Sequence, residues 1–166
     1  MPQNIIMEQT IYFYAETDAY FELSNFYLRD VTIDSTVWPS TEHFYQAQKF
    51  ICAAAREQIR ASGSAAEAFY LGRNLAVARV DSWETKKLAV MRYSLQQKFK
   101  QHADLKQLLL VSGNAVLKEK SPVDSFWGIG KDGHGKNMLG ILLMELRTEL
   151  DGRQSACDAL PEIYAK

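Results

Sequence analysis

Hydrophobic periodicity divides the chain into a short β-rich start and a longer helical remainder. Residues 10–14 (T-I-Y-F-Y) and 31–37 are rich in β-branched and aromatic side chains, which predicts two short strands. From Thr41 onward the apolar spacing is helical and predicts helices over these ranges: 42–61, 65–72, 83–100, 102–111 and 138–150. The pattern therefore predicts an α+β fold, mostly α, with a small N-terminal β element.

Two of the predicted helices carry an apolar stripe. In the helix after Trp83 we expect the lysines and glutamines to face water and one stripe to be buried: Leu88, Met91, Leu95 and Phe99. The last helix has a leucine stripe: Leu139, Leu142, Leu143, Leu146 and Leu150. Both helices are therefore expected to pack against the core.

The first predicted helix is entered through W-P-S-T-E-H-F-Y-Q-A-Q-K-F, residues 38–50, where Ser40 or Thr41 can cap the free amides. At about 100° per residue, one side is mostly polar: Glu42, Tyr45, Gln46, Lys49, Ala53 and Arg56. The other side is apolar: Phe44, Ala47, Ile51 and Ala55. Two interpretations stay open at this point, a solvated face with Glu–Lys support and a helix that lines a polar cavity.

A second candidate site is the glycine-rich segment S-P-V-D-S-F-W-G-I-G-K-D-G-H-G-K-N-M-L-G, residues 121–140. Four of its glycines, Gly128, Gly130, Gly133 and Gly135, and its two lysines precede an apolar helix, which favours a phosphate or other anion at the helix N-terminus. A mobile surface loop would explain the glycines but not the Phe–Trp pair at the entrance. The segment contains neither a Walker loop nor a dinucleotide-binding motif.

Composition sets the class of protein. At 166 residues, 47% hydrophobic and 23% charged, the chain is expected to form one globular domain over 1–166, with a core over about 10–150 and a weakly patterned tail over 151–166. A net charge of −1 and a pI near 6.3 argue against bulk electrostatic affinity for nucleic acid, but leave a local basic groove open.

The sequence also bounds redox chemistry, metal binding and location. Cys52 and Cys157 lie far apart without a C-x-x-C pattern, and no His/Cys/Asp spacing indicates a metal. The N-terminal residues lack the features of a signal peptide, and no apolar run approaches the ~18 residues of a membrane span. We therefore expect a cytoplasmic protein with no cofactor, no metal and no membrane partner.

Several motifs together resemble the NADAR family, especially its YbiA-like branch. They are the 38–50 segment, the earlier L-S-N-F, G-R at 72–73, R-x-D-S-W at 79–83, and D-S-F-W-G-I-G followed by G-K-N-M-L-G-I-L-L-M. The resemblance runs in order from about Thr10 to Leu150. It implies a multihelical domain that is an N-glycosidase. YbiA-like members hydrolyse the bond between a pyrimidine and ribose 5-phosphate in the first two intermediates of riboflavin biosynthesis, and related members remove ADP-ribose from guanine in nucleic acid.

The resemblance assigns catalytic roles that suit this chemistry. Cleavage of a C1′–N bond passes through an oxocarbenium-like transition state, which a carboxylate stabilises. Glu42 matches the catalytic glutamate of the family, as a base for water or as a charge stabiliser. Asp124 is the best second carboxylate, with the alternative that it caps the Phe–Trp turn. Lys49 is expected to keep Glu42 ionised, contact the ribose or phosphate, or act as a covalent amine.

The same resemblance implies the groups that bind the substrate. Trp83 and Trp127 match family tryptophans that shape the base and sugar pocket, although Trp83 is equally compatible with the core. Candidate phosphate contacts are Arg73, Lys131, Lys136 and the amides of the glycine loop, including Gly128 and Gly130. The expected contacts are completed by Asn25, Gln46, His134 and Asn137, of which His134 is either a ligand contact or solvent-exposed. We expect His43 and Trp38 to be structural.

Three functions are compatible with these residues. The first is hydrolysis of a phosphorylated N-riboside, a phosphoribosylamino-pyrimidine intermediate of riboflavin biosynthesis, as metabolite damage pre-emption that releases ribose 5-phosphate. The second is removal of ADP-ribose from guanine in nucleic acid, for which a net charge of −1 is unfavourable. The third is a non-catalytic ADP-ribose-binding module, which the intact Glu42 disfavours.

Overall fold

The computed structural model describes residues 9–152 and confirms a mostly helical α+β fold. In chain order its elements are β1 Thr10–Phe13, a 3-10 helix Phe21–Leu23, β2 Val31–Ile33, β3 Thr36–Trp38, α1 Thr41–Ala47, α2 Ala53–Arg60, α3 Ala65–Asn74, α4 Trp83–Gln101, α5 Ala103–Val111, β4 Val116–Glu119 and α6 Met138–Leu150. Cys157 and most of the predicted tail lie outside the described residues. Within 9–152, no helix is both long and apolar enough to cross a bilayer.

The strands form two small sheets. β1 and β4 are parallel, with Phe13 opposite Glu119, and β4 was not predicted from the sequence. The single strand predicted over 31–37 is wrong, because β2 and β3 form an antiparallel hairpin. Asp34 and Ser35 make its turn with φ values of 50° and 62°. This turn has the positive φ values of tight hairpins, but Asp-Ser lacks the glycine that usually signals one.

The single helix predicted over 42–61 is also wrong, because α1 ends at Ala47 and α2 begins at Ala53. Between them the backbone turns to pair with a distant segment. The carbonyl of Lys49 accepts a hydrogen bond from the amide of Val80 at 2.8 Å, and Phe50 forms a bridge with Arg79. No glycine or proline marks the break, so the break depends on tertiary pairing.

Helix α1 lies between two hydrophobic clusters. Tyr45 belongs to the cluster formed with β1, β4, α4, α5 and α6, whereas Phe44 and Ala47 belong to the cluster formed with β2, β3, α2 and α3. All seven residues of α1 are buried. The solvated-face interpretation of this helix is therefore wrong. Ile51, expected on its apolar back, lies after the helix and is 65% exposed.

The stripe of α6 is buried as predicted, with Leu150 partly buried, whereas α4 departs from its prediction at two positions. Leu88 is exposed, and Lys98 is buried although the lysines were expected to face water. Lys98 Nζ donates to the carbonyls of Glu22 at 2.6 Å and Ser24 at 2.9 Å. Burial lowers the pKa of Lys98 to about 7, against an opposing effect of the Glu22 charge. Lys98 therefore ties the segment before Asn25 to α4.

We predict that Lys98→Met lowers the free energy of unfolding by roughly 1–3 kcal/mol, because the buried carbonyls of Glu22 and Ser24 lose their donor. Urea denaturation measures this change. The control is Lys100→Met, at an exposed position of the same helix, which should change the free energy by less than about 0.5 kcal/mol. Equal effects of the two substitutions would contradict this role of Lys98.

Candidate active site

Glu42 lies in the first turn of α1 and is only 4% exposed. Ser40 caps the helix by accepting from the amide of His43, so local sequence determines where the helix begins. The amide of Glu42 donates to the Asn25 carbonyl at 3.2 Å, and its Oε1 accepts from Gln46 Nε2 at 2.6 Å. The backbone of Glu42 is therefore anchored to Asn25 and its carboxyl group to Gln46 before any ligand binds.

The other polar side chains of α1 also have internal partners. Thr41 Oγ1 donates to Asn25 Oδ1 at 2.9 Å, and the Asn25 amide nitrogen lies 3.1 Å from Met91 Sδ. His43 hydrogen-bonds to the capping serine at 2.7 Å and lies 3.3 Å from the Ser62 carbonyl, so it is structural as expected. The side chain of Asn25 thus positions α1, while its predicted contact with substrate stays a prediction.

Gln46 is directed toward Glu42 by the close approach of α3. A Cβ atom built on Gly72 would lie 1.9 Å from Gln46 Oε1, so no side chain fits at this position without displacing the amide. Gln46 Oε1 is buried and has no hydrogen-bond partner among the described residues. The glycine of the G-R pair therefore gives Gln46 the space to reach the carboxyl group of Glu42.

Burial strongly perturbs the charges at this site. Desolvation raises the pKa of Glu42 to about 7, against the Gln46 hydrogen bond and the positive charge of Lys49, while Asp124 raises it further. Desolvation also lowers the pKa of Lys49 to about 8, with Glu42 opposing this effect and Arg79 and Arg73 adding to it. Glu42 and Lys49 thus form a partly desolvated pair whose pKa values lie near neutrality.

A third acidic residue, Glu119, was missed by the sequence analysis. It ends β4 on the same buried face as Leu117 and is 9% exposed. Burial raises the pKa of its carboxyl to about 8, and the charges of Glu42 and Asp124 raise it further. The carboxyl makes no hydrogen bond within the described residues. Alternation along V-L-K-E would have placed this acid in the core if the strand had been recognised.

Asp124 stabilises the turn that contains Phe126 and Trp127, and it also contributes negative charge to the site. Its Oδ1 accepts from the amides of Phe126 at 2.8 Å and Trp127 at 2.7 Å, which is the capping alternative considered for this residue. Its charge also raises the pKa of Glu42 and of Glu119. The catalytic role predicted for Asp124 therefore remains compatible with its capping role.

Tyr45 joins the two predicted substrate-binding tryptophans. Its ring centre lies 5.2 Å from that of Trp83 and 5.5 Å from that of Trp127, and Trp127 Nε1 donates to Tyr45 Oη at 3.2 Å. Lys49 Nζ lies 5.4 Å from the Tyr45 ring centre. Both tryptophans are half-buried and pack against the core, so each has a structural contact and some exposed surface. Tyr45 was noted on the polar face but not predicted as a site residue.

The backbone amides at the start of α6 are already occupied. The amides of residues 136–139 donate to carbonyls of residues 125–128: Lys136 to Ser125, Asn137 to Gly128, Met138 to Phe126 and Leu139 to Trp127. Gly130 and Gly135 also donate within the loop, to Asp124 and Ile129. These amides therefore hold the loop together, and the expectation that the glycine loop offers open amides to a phosphate is wrong for them.

Two further loop residues, Asn137 and Gly128, hold β4. Asn137 Oδ1 accepts from the Glu119 amide at 2.9 Å, and its Nδ2 donates to the Leu117 carbonyl at 2.8 Å. A Cβ on Gly128 would lie 2.8 Å from the Glu119 carbonyl, so this position requires glycine for close packing. These contacts place Glu119 and the glycine loop next to each other.

The basic residues of the predicted site occupy two different regions. Lys131, His134 and Lys136 have exposed side chains on the glycine loop. Arg73, exposed at the end of α3, influences the charge of Lys49, as does Arg79. Arg79 donates to the carbonyls of Gly72 and Arg73, and it was not predicted as a site residue although it lies in the R-x-D-S-W motif. The side chains of the two arginines form a cationic edge beside Lys49.

Metal-binding groups and a separate groove are the two other features that were compared with the Glu42 cluster. Among residues 9–152, no three His, Cys, Asp or Glu side chains are grouped so that they could hold a metal ion. A groove of about 390 Å³ is lined by residues outside the cluster around Glu42: Leu28, Arg29, Asp30, Pro39 and His102. Arg29 in that groove is already paired with Asp104 and His102. Strongly shifted pKa values occur instead among residues of the Glu42 cluster, which favours that cluster as the candidate site.

Comparison with known proteins gives consistent matches. The NADAR domain matches residues 12–151. N-glycosidase YbiA of Shigella flexneri serotype 5b is 44% identical over 148 residues, covering 89% of this chain and 92% of that protein. Riboflavin biosynthesis protein VVA0006 of Vibrio vulnificus is 44% identical over 145 residues, which are 87% of this chain and 40% of that protein. The NMR structure of the E. coli protein YbiA matches with a TM-score of 0.80 and 40% identity over 99% of this chain and 100% of that one.

The buried state of Glu119 predicts a pH dependence of stability. Folding raises the pKa of Glu119 from 4.5 to about 8, so the folded state binds a proton that the unfolded state releases in this interval. The free energy of unfolding should therefore fall as pH rises from about 5 to 8. Glu119→Gln should make this fall shallower in urea titrations, whereas the exposed control Glu16→Gln should not. Identical pH slopes for the wild type and Glu119→Gln would contradict the burial of this acid.

Proposed function

The chain belongs to the NADAR family and is an N-glycosidase, a hydrolase of N-glycosyl compounds, and we propose that it cleaves the phosphoribosylamino-pyrimidine intermediates of riboflavin biosynthesis. The products are ribose 5-phosphate and the free amino-pyrimidine. The name of the Vibrio vulnificus relative supports this substrate class. The observation that carries the proposal is the buried carboxyl of Glu42 with Lys49 and Asp124 beside it. The cytoplasmic location expected from the sequence is part of the proposal.

Glu42 is assigned to the reacting carbon. Positive charge develops on the ribose as the C1′–N bond breaks, and a carboxylate in a desolvated site stabilises it more strongly than one in water. Lys49 opposes the rise in the pKa of Glu42, which favours the ionised form that this role requires. The same carboxylate accepts a proton from the attacking water.

The aromatic residues are assigned to the base. Trp83 and Trp127 flank Tyr45 and are only half-buried, so part of each indole is accessible to a planar ring. Stacking of a base on an indole contributes roughly 1–3 kcal/mol. Because Lys49 lies against the Tyr45 ring, a base held here has its ribose beside the charged pair.

The phosphate is assigned to the cationic edge formed by Arg73 and Arg79. Both guanidinium groups act on Lys49 electrostatically, and Arg73 is exposed. A guanidinium matches the geometry of phosphate oxygens. The amides of Gly130, Gly135 and residues 136–139 donate to chain carbonyls, which supports side chains as the anion contacts.

Hydrolysis of ADP-ribosyl guanine is the second candidate, because it needs the same C1′ chemistry and an exposed cationic edge also suits a polynucleotide. The test is to incubate purified protein with the two riboflavin intermediates and with an ADP-ribosylated oligonucleotide in parallel. We expect ribose 5-phosphate to be released from the pyrimidine substrates with the higher kcat/KM. Preferential release of ADP-ribose would favour the second candidate, and release from neither would contradict both.

We predict that Glu42→Gln keeps the fold and lowers kcat by at least about 100-fold, because the amide neither accepts a proton nor carries the stabilising charge. The control is Glu16→Gln, at an exposed position, which should keep wild-type turnover. Circular dichroism checks the fold of both variants. Turnover by Glu42→Gln above about a tenth of the wild-type value would exclude this residue as the catalytic carboxylate.

We also predict which side chain binds the phosphate. Arg73→Gln should raise KM for the phosphorylated substrate about tenfold, from the loss of one charge-assisted hydrogen bond, and change KM little for the dephosphorylated riboside. Lys131→Gln removes an exposed cation of the glycine loop and should change either KM less than about twofold. A larger effect of Lys131→Gln than of Arg73→Gln would assign the phosphate to the glycine loop instead.

A further inference from the structure

Cleavage of an N-glycosidic bond leaves an electron pair on the departing nitrogen. In water an amine nitrogen is a poor leaving group unless it receives a proton as the bond breaks, so the enzyme needs a proton donor as well as a carboxylate. Glu42 is assigned to the ribose and cannot serve as the acid in the same step. The donor must therefore be a second group that is protonated near neutral pH and lies close to Glu42.

We propose that Glu119 is this general acid, donating its carboxyl proton to the leaving nitrogen while Glu42 acts as the carboxylate. The assignment rests on the proposed N-glycosidase function and deepens it. It gives a role to a buried acid whose carboxyl group has no hydrogen-bond partner among residues 9–152.

The backbone fixes where the Glu119 side chain begins. The Glu119 amide donates to Asn137 Oδ1 at 2.9 Å, and its carbonyl accepts from the Ile129 amide at 2.9 Å. The side chain leaves β4 on the inward face, where Leu117 is fully buried, and Glu119 itself is 9% exposed. A mostly buried carboxyl with no hydrogen-bond partner among residues 9–152 loses hydration without a compensating donor, and such groups concentrate at functional sites.

The surroundings of the two glutamates differ in a way that separates their roles. Glu42 receives a hydrogen bond from Gln46 and the electrostatic support of Lys49, and both favour its ionised form. The charged groups that act on Glu119 are the carboxylates of Glu42 and Asp124, and both favour its protonated form. The proton shared by this coupled pair therefore resides mainly on Glu119.

Other candidate acids within the described residues are engaged elsewhere. Asp124 accepts two amide hydrogen bonds through Oδ1, so its carboxyl group is engaged in the Phe–Trp turn. His43 is held between the capping serine and Ser62, and burial lowers its pKa, so it is a poor acid at neutral pH. Lys49 and the Tyr45 hydroxyl are the remaining alternatives, and the substrate and pH dependence of Glu119→Gln distinguishes them from Glu119.

The proposed step is balanced. The C1′–N bond breaks with its electron pair moving to nitrogen, which takes the proton from Glu119. Water bonds to C1′ and gives a proton to Glu42, so the products are ribose 5-phosphate and the neutral amine. Transfer of one proton from Glu42 to Glu119, through water, restores the starting enzyme.

The test compares two leaving groups on the same ribose 5-phosphate. One substrate carries the amino-pyrimidine, and the other carries 4-nitrophenol, which departs as a stable anion without a proton. Glu119→Gln should lower kcat for the pyrimidine substrate about 10²–10⁴-fold, the usual contribution of a general acid, and lower kcat for the nitrophenyl substrate less than about tenfold. Glu42→Gln should lower both, and retained nitrophenyl hydrolysis shows that Glu119→Gln is folded.

A second measurement needs only the wild-type protein. The kcat for the pyrimidine substrate should fall as pH rises through about 8, where Glu119 loses its proton, whereas the kcat for the nitrophenyl substrate should not fall. The charged groups that act on Glu119 are the carboxylates of Glu42 and Asp124. Because Lys49 also titrates near pH 8, the alkaline fall must disappear in Glu119→Gln if Glu119 is the donor.

Each outcome decides the assignment. Full activity of Glu119→Gln on the pyrimidine substrate, equal losses on the two substrates, or an alkaline fall that persists in the variant would overturn Glu119 as the acid. The first and third results would leave the proposed function intact. Wild-type inactivity toward both riboside phosphates would contradict the proposed function itself, and this assignment with it.

Discussion

The burial of helix α1 is the constraint on which the rest of this structure depends. A short helix with every residue buried normally carries apolar side chains, yet this one carries Thr41, Glu42, His43 and Gln46. The side chain of each of these four residues makes a hydrogen bond to a residue on another segment or in a neighbouring turn of the helix. These hydrogen bonds offset part of the cost of removing the four groups from water. Two costs remain among the described residues: Gln46 Oε1 has no partner, and desolvation still raises the pKa of Glu42.

The opposite wall of the site is held by backbone contacts rather than by side-chain packing alone. The first amides of α6 bond to carbonyls of residues 125–128, and the side chain of Asn137 bonds to both sides of β4. Together these contacts fix Asp124, Trp127 and Glu119 relative to one another. The glycines in this segment therefore serve close backbone packing, and the acids and aromatics that they position carry the chemistry.

Local chemistry explains which elements were predictable. The cap at Ser40, the leucine stripe of α6 and the buried positions Met91, Leu95 and Phe99 depend on helical spacing and on neighbours in sequence. The structural role of His43 followed from its position about 100° from Glu42 on the same helix. Glu42 and Gln46 of α1, and Lys49 just after it, were predictable as candidates because a carboxylate, an amide and an ammonium occur at helical spacing in the sequence.

What could not be predicted depends on contacts between distant segments. The break after α1 arises from the pairing of residues 49 and 50 with 79 and 80. Strand β4 is four residues long and is stabilised by β1, so Glu119 was not recognisable as a buried acid. The sequence predicts that Lys98 faces water. Its burial is explained by the two backbone carbonyls that accept hydrogen bonds from it.

In the proposed mechanism, folding creates a buried pair of glutamates, Glu42 and Glu119, that divide a proton unequally. A ¹³C NMR titration of side-chain-labelled glutamate, assigned with Glu42→Gln and Glu119→Gln, measures this directly in the free protein. We expect two buried carboxyls with apparent pKa values of about 7 and about 8, the higher one absent in Glu119→Gln. Titration of both carboxyls near the ordinary value of 4.5 would contradict it.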